Sequence, residues 1–171
     1  VATMTVDGPR TDVTDTTGTE YSAQGYMTKS TNEKGHMTQY ENHNGRGQPR
    51  RVIDANGVIT DLTYTPRGWL ETITQDVGHL NALTVLEYDN VGQLIGTTLA
   101  DGVHLDFEFD DAHRMDAIQN SLGERIEYAL DAAGNQDMIT YKSSGSAIAH
   151  TVNYDFDGLS RLYKAFGNDG Q

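Results

Sequence analysis

The chain has 171 residues, with 36% hydrophobic residues, 18 Gly, 3 Pro and no Cys. A net charge of -13, from 25 acidic and 12 basic residues, repels phosphate backbones and anionic lipid surfaces. The absence of cysteine excludes a disulfide framework and thiolate metal sites, and no apolar run approaches the ~18–20 residues that span a bilayer.

In chain order the first residue is Val1, and no basic segment followed by an apolar one comes after it, so processing or excision from something longer is expected. From Tyr21 onward one unit recurs. An aromatic or bulky anchor is followed by a polar residue, two variable positions, a turn residue and a long side chain. The copies are Tyr21-Ser22-Ala23-Gln24-Gly25, His43-Asn44-Gly45-Arg46-Gly47, Tyr64-Thr65-Pro66-Arg67-Gly68, Tyr88-Asp89-Asn90-Val91-Gly92, Phe109-Asp110-Asp111-Ala112-His113, Leu130-Asp131-Ala132-Ala133-Gly134 and Phe156-Asp157-Gly158-Leu159-Ser160. Anchors at 21, 43, 64, 88, 109, 130 and 156 are spaced by 22, 21, 24, 21, 21 and 26 residues.

Between anchors lies a second turn signal: Asn32-Glu33-Lys34-Gly35, Asp54-Ala55-Asn56-Gly57, Asp76-Val77-Gly78, Asp101-Gly102, Asn120-Ser121-Leu122-Gly123 and Ser144-Gly145, with Asn168-Asp169-Gly170 at the end. A period of about 21 divides into two strands of about 7 residues and two turns of 3 to 4. Asp at the first turn position accepts backbone N–H groups, and Gly at the last takes the φ > 0 that closes a type I turn with a bulge. Asp101-Gly102 and Asn56-Gly57 also match two-residue hairpin turns. His113 and Ser160 stand where other copies have Gly, so their turns are expected to be strained or of another type.

The strands alternate. Val103, Leu105, Phe107 and Phe109 share one face and His104, Asp106 and Glu108 the other, which predicts an exposed His104; Ile126, Tyr128 and Leu130 lie opposite Glu127. Leu70 to Ile73 and Met115 to Ile118 are three apart, which predicts a bulge after the main turns. The longer intervals are hairpin insertions around Gly78-His79-Leu80-Asn81 and Ser143-Ser144-Gly145-Ser146. The reading is all-β: tandem β-hairpin repeats of about 21 residues adding side by side into one continuous, curved antiparallel sheet of about 12 to 14 strands, over residues 1–171 without a domain boundary.

The Tyr-Asp-x-x-Gly-x-Leu signature at Tyr88–Leu94 and its six relatives resemble the RHS/YD-repeat proteins over essentially all of Tyr21 to Gln171. The resemblance implies that the strip is part of a spiral β-shell enclosing a C-terminal toxin, in bacterial secreted effectors or insecticidal toxin complexes, with similar repeats in animal teneurins. It implies as partners the remainder of the shell and the enclosed toxin, and a secreted or extracellular location. The self-cleaving Asp-Pro and Gly-rich tail of complete members is missing from this stretch, so no catalytic residue carries over. The repeat signature residues are Tyr21, Gly25, Gly47, Tyr64, Gly68, Tyr88, Asp89, Gly92, Phe109, Asp110, Asp131, Gly134, Phe156 and Asp157.

Other chemistry is weaker. Asn153-x-Asp155-x-Asp157-Gly158 imitates half an EF-hand loop, but Lys164 stands where the bidentate Glu belongs. The histidines, His36, His43, His79, His104, His113 and His150, show no local ligand spacing. Gly-x-Ser-x-Gly is absent, and Asp110-Asp111 belongs to one turn. Arg46, Arg50 and Arg51 read as a solvated strand edge. The expectation is therefore no enzyme, no cofactor, no metal and no nucleic acid, but a structural wall, with self-association through sheet edges. The alternative is an extracellular glycan- or protein-binding module using Tyr21, Tyr64, Tyr88, Tyr128 and Tyr154 and the loops near His79 and Ser144.

Overall fold

The computed structural model describes residues 2–8 and 15–169. Among them are fifteen strands and no helix, which is the all-β reading of the sequence. The chain divides into two compact units, Val1–Val85 and Leu86–Gln171. Within each, strand order in the sheet is chain order, and neighbouring strands run antiparallel.

The first unit contains β1 (Ala2–Val6), β2 (Thr17–Tyr21), β3 (Met27–Thr31), β4 (Met37–Glu41), β5 (Arg51–Ile53), β6 (Ile59–Tyr64), β7 (Leu70–Gln75) and the start of β8 (Ala82–Tyr88). The second contains the end of β8, then β9 (Leu94–Thr98), β10 (His104–Phe109), β11 (Met115–Asn120), β12 (Arg125–Leu130), β13 (Gln136–Lys142), β14 (Ile148–Phe156) and β15 (Leu162–Asp169). The count exceeds the expected 12 to 14 because β1 pairs with β2 upstream of the first anchor. Asn168 and Asp169, expected in a terminal turn, belong to β15, where backbone pairing with Thr151 and His150 continues the ladder; Gly170 lies outside the described residues.

The predicted bulges are present. Tyr64 pairs with Leu70 while Thr63 pairs with Thr72, leaving Glu71 extra; Phe109 pairs with Met115 while Glu108 pairs with Ala117, leaving Asp116 extra. The same slip follows the turns at Ser22, Asp131 and Asp157. Each bulge returns the residue three places on to the face of the anchor, apolar in Ile73, Ile118, Ile139 and Ala165 and polar in Ser30, which is why the sequence shows spacings of three there.

Register then sorts the side chains. In the second unit Asp106, Glu108, Arg125, Glu127 and Lys142 share one face, and Leu105, Phe107, Ile118, Ile126, Tyr128, Ile139 and Val152 the other. In the first, Glu20, Lys29, Glu41, Arg51 and Asp61 lie on one face, and Thr19, Ser30, Tyr40, Val52, Leu62 and Ile73 on the other. Among the described residues neither unit has a second layer of secondary structure against its sheet, and most strand side chains are only half-buried. Among the described residues the buried apolar ones are Ala117 and Ile139, with 0% and 9% of their surface exposed.

Candidate functional site

Two constellations recur or converge: the rim of main turns, and a charged lattice on the second unit. At each main turn the residue after the anchor fixes the loop. Asp131 is representative: its Oδ1 accepts the N–H groups of Ala133 and Asn135, both at 2.9 Å. Its N–H donates to the Asn135 carbonyl at 2.8 Å, and its carbonyl accepts from Gly134 N–H at 3.0 Å. Asp89, Asp110 and Asp157 do the same with Val91 and Gln93, Ala112 and Arg114, and Leu159 and Arg161. Asn44 substitutes its amide oxygen, and the Ser22 and Thr65 hydroxyls accept a single N–H.

These bonds favour the ionised form. Asp89 and Asp110 are held below the ordinary aspartate value first by backbone N–H groups of Gln93 and Arg114, and Asp131 and Asp157 first by the side chains of Asn135 and Arg161. The carboxylates are committed to the turn rather than poised for proton transfer. The closing position is left-handed throughout: Gly25, Gly47, Gly68, Gly92 and Gly134 have φ of 84°, 79°, 94°, 95° and 88°. His113 and Ser160 take φ of 61° and 58° in the same hydrogen-bonded turn. Those two turns are thus strained, not of another type.

The anchors Tyr21, Tyr64, Tyr88, Phe109 and Phe156 end β2, β6, β8, β10 and β14 and are all half-buried. Tyr64 donates its hydroxyl to the Pro49 carbonyl at 2.8 Å, and burial raises the pKa of Tyr64 and Tyr88. His43 departs from the pattern: β4 stops at Glu41, and the anchor lies outside any strand, after Asn42 in a left-handed conformation with φ of 56°.

The second reversals differ from a two-residue hairpin. Asp54-Ala55-Asn56-Gly57 and Leu99-Ala100-Asp101-Gly102 are four-residue loops closed by Gly57 and Gly102 N–H on the Asp54 and Leu99 carbonyls. Only the glycine has positive φ, whereas a type I′ turn would require it at Asn56 and Asp101 too.

Contacts one period apart tie turn to turn, and the sequence pattern alone missed them. Gln48 Nε2 donates to the Gly68 carbonyl at 2.8 Å, Gln93 Nε2 to the His113 carbonyl at 3.1 Å, and Asn135 Nδ2 to Ser160 Oγ at 3.2 Å. The available signal was the amide immediately after the fifth turn residue in those three copies. The Tyr26 ring covers Gly47 so closely that a Cβ there would sit 2.9 Å from it.

The charged lattice spans four strands. Arg125 on β12 reaches over β11 to both carboxylate oxygens of Glu108 on β10, with Nη2 at 2.8 Å from Oε2, while its Nε donates to Glu127 at 2.9 Å. Lys142 Nζ on β13 completes the chain to Glu127 at 2.6 Å. Ala117 lies between Glu108 and Glu127 in register. Ala117, on the same face of the strand that the bridge crosses, has no exposed surface. Strands β10 and β12 are about 9.6 Å apart by sheet geometry, a span suited to an arginine fork. Carboxylate contacts hold Arg125 above its usual range, and Arg125 and Lys142 hold Glu108 and Glu127 respectively below theirs.

The remaining candidates disperse. Asn153 and Asp155 are strand residues of β14 and only Asp157 is in the turn, so the half EF-hand is not a loop. Among the described residues no group of three His, Asp or Glu side chains is placed to hold a metal ion. His104, expected to be exposed, has a side chain 29% exposed, because Thr98 Oγ1 meets Nδ1 at 2.8 Å and the ring lies over Gly96. Arg46 and Arg50 are exposed, whereas Arg51 forms a two-pronged pair with Asp61, 2.7 Å on each prong.

No family model matches the chain. Double-stranded DNA deaminase toxin A of Burkholderia cenocepacia (strain H111) is 32% identical over 92 residues, covering 52% of this chain and 6% of that protein. The crystal structure of TcdB2-TccC3-Cdc42 superposes with a TM-score of 0.74 at 16% identity, over 88% of this chain and 9% of the other. A structure of the Photorhabdus luminescens Tc holotoxin pore superposes with a TM-score of 0.72 at 16% identity, over 91% and 9%. The likeness to the solved chains is one of fold: an all-β sheet of antiparallel hairpin repeats. The chain spans less than a tenth of each of these proteins.

Proposed function

We propose that the chain is a wall segment of an RHS-type shell that encloses a toxin cargo, that it is secreted as part of a larger bacterial protein, and that it performs no catalysis itself. The observation that carries this reading is the charge-sorted, single-layer sheet of each unit, built from versions of one turn that recurs seven times along the chain, with neighbouring turns linked in three places by hydrogen bonds from side-chain amides. Such a sheet grows by adding hairpins and has no inherent stopping point, as a wall requires. The turn carboxylates that could have served catalysis are occupied by backbone N–H groups. The toxin match in Burkholderia and the fold shared with segments of Tc toxin chains support the same reading. The signature residues from Tyr21 to Asp157 then act as hairpin-forming elements.

The test is electron microscopy of the full-length protein carrying this sequence. A closed hollow particle with the Tyr21–Phe156 hairpins in its wall is expected. A solid globule or an open fibre overturns the proposal.

A further inference from the structure

Two Asn-Gly dipeptides, Asn44-Gly45 and Asn56-Gly57, lie in the first unit, and the structure treats them differently. In this dipeptide a backbone nitrogen can reach the side-chain carbonyl carbon of the residue before it, because glycine has no Cβ to block the approach. Whether it does so in a folded chain depends on what holds the asparagine.

Asn44 is held at both ends of its amide. Its Oδ1 accepts the N–H groups of Arg46 at 2.9 Å and Gln48 at 3.1 Å, and its Nδ2 donates to Gln48 Oε1 at 2.9 Å. Swinging its Cγ toward the Gly45 nitrogen breaks all three bonds. Asn56 has none of these ties. It is the third residue of the loop between β5 and β6, where residues 54–58 are all exposed. There Asp54 plays the part that Asn44 plays in its own turn: its Oδ1 accepts the N–H groups of Asn56 at 2.8 Å and Val58 at 2.9 Å. The backbone of the loop is thereby fixed, while the Asn56 side chain makes no hydrogen bond among the described residues. A Cβ built at Gly57 meets nothing within 4 Å, so there is room for a ring to close. One bond stands in the way, from Gly57 N–H to the Asp54 carbonyl at 3.0 Å. A bond of this kind shifts an opening equilibrium by roughly two- to tenfold, and Asn44 is locked by three.

We propose that Asn56-Gly57 is a self-modification site. The Gly57 nitrogen, having lost its proton to hydroxide, bonds to Asn56 Cγ, and the side-chain nitrogen leaves as ammonia. Water then opens the cyclic imide at either carbonyl, giving an aspartyl or an isoaspartyl residue; no reactant other than water is consumed. Either product places a further negative charge beside Asp54, and the isoaspartyl form also lengthens the loop backbone by one methylene. Strand β5 has only three residues, and Ile53 pairs with Ile59 at the closed end of the hairpin, so the modification loosens β5–β6 there. The site is independent of the wall reading.

The test is peptide mapping by mass spectrometry on the full chain held in mildly alkaline buffer, with enzymatic isoaspartyl methylation as the second readout. In the folded chain position 56 should exchange its amide nitrogen for oxygen about tenfold or more faster than position 44, the effect of two additional hydrogen bonds. In urea the ties are gone, and the two positions should react at similar rates. Asn56→Gln, whose longer side chain must close a slower six-membered ring, should remove the isoaspartyl signal at that position. No modification at position 56 in the folded chain, position 44 reacting as fast as position 56, or a difference that persists unchanged in urea overturns the proposal.

Discussion

At the scale of single residues, the left-handed turn position separates three energetic terms. Ser160 and His113 pay for a conformation that glycine adopts freely, so Ser160→Gly and His113→Gly should each raise stability, by up to about 1 kcal/mol once the greater freedom of glycine in the unfolded chain is deducted. Chemical denaturation measures this. The reverse change separates φ from crowding: Gly25→Ala meets nothing within 4 Å, whereas Gly47→Ala drives a methyl to 2.9 Å from the Tyr26 ring, so Gly47→Ala should be the costlier by about 1 kcal/mol or more. The turn carboxylates set an acid limit. Asp89, Asp110, Asp131 and Asp157 have folded pKa values depressed below the ordinary 3.8. The stability they add is therefore fully present above that value and lost as pH falls through their folded values. Thermal melting followed from pH 7 to pH 2 should be flat with respect to these groups until about pH 4 and drop below it. Asp131→Asn, which keeps the accepting oxygen but not the charge, should shallow that drop; an unchanged acid limb counts against the assignment.

At the scale of strands and turns, the Glu108–Arg125–Glu127–Lys142 lattice and Ala117 define one another. Arg125→Met keeps the aliphatic stem and deletes the fork; with Glu108 and Glu127 side chains 46% and 36% exposed, the loss should be at most about 1 kcal/mol and should shrink in high salt. Ala117→Leu forces a larger side chain into a place with no exposed surface and should cost about 1–3 kcal/mol whatever the salt. Urea denaturation at two ionic strengths distinguishes the two. The strands themselves were legible, because β10 and β12 alternate cleanly and the three-residue gaps at Leu70–Ile73 and Met115–Ile118 announced their bulges. The lattice was not legible: which residue faces Ala117 across two ladders depends on register, and register depends on bulges whose exact residue the sequence leaves open. The Asn56-Gly57 and Asp101-Gly102 signals misled for a related reason. A dipeptide does not reveal whether it is the whole loop or its last half, and the partner carbonyls of Asp54 and Leu99 decide that. His43 looked like one anchor among seven because its spacing is right, while the shortened β4 depends on the backbone of Asn42.

At the scale of the whole molecule, burial shows what kind of sheet each unit carries: among the described residues the apolar groups on its uncharged face are mostly only half-covered. Among the described residues β1 and β15 each pair on one side alone, leaving a row of backbone donors and acceptors open along each. Open edges and a half-covered apolar face act in the same direction, toward pairing with another copy. The net charge of -13 opposes it at low salt, since like-charged copies repel over a Debye length of about 10 Å at 0.1 M and about 3 Å at 1 M. Self-association of the 171-residue chain should therefore rise with both protein and salt concentration. A purely charge-paired contact would weaken with salt instead. Light scattering at 0.05 and 1 M NaCl reads the difference: larger species at high salt agree with edge and apolar contact, and a monomer that stays monodisperse at high concentration under both conditions refutes it.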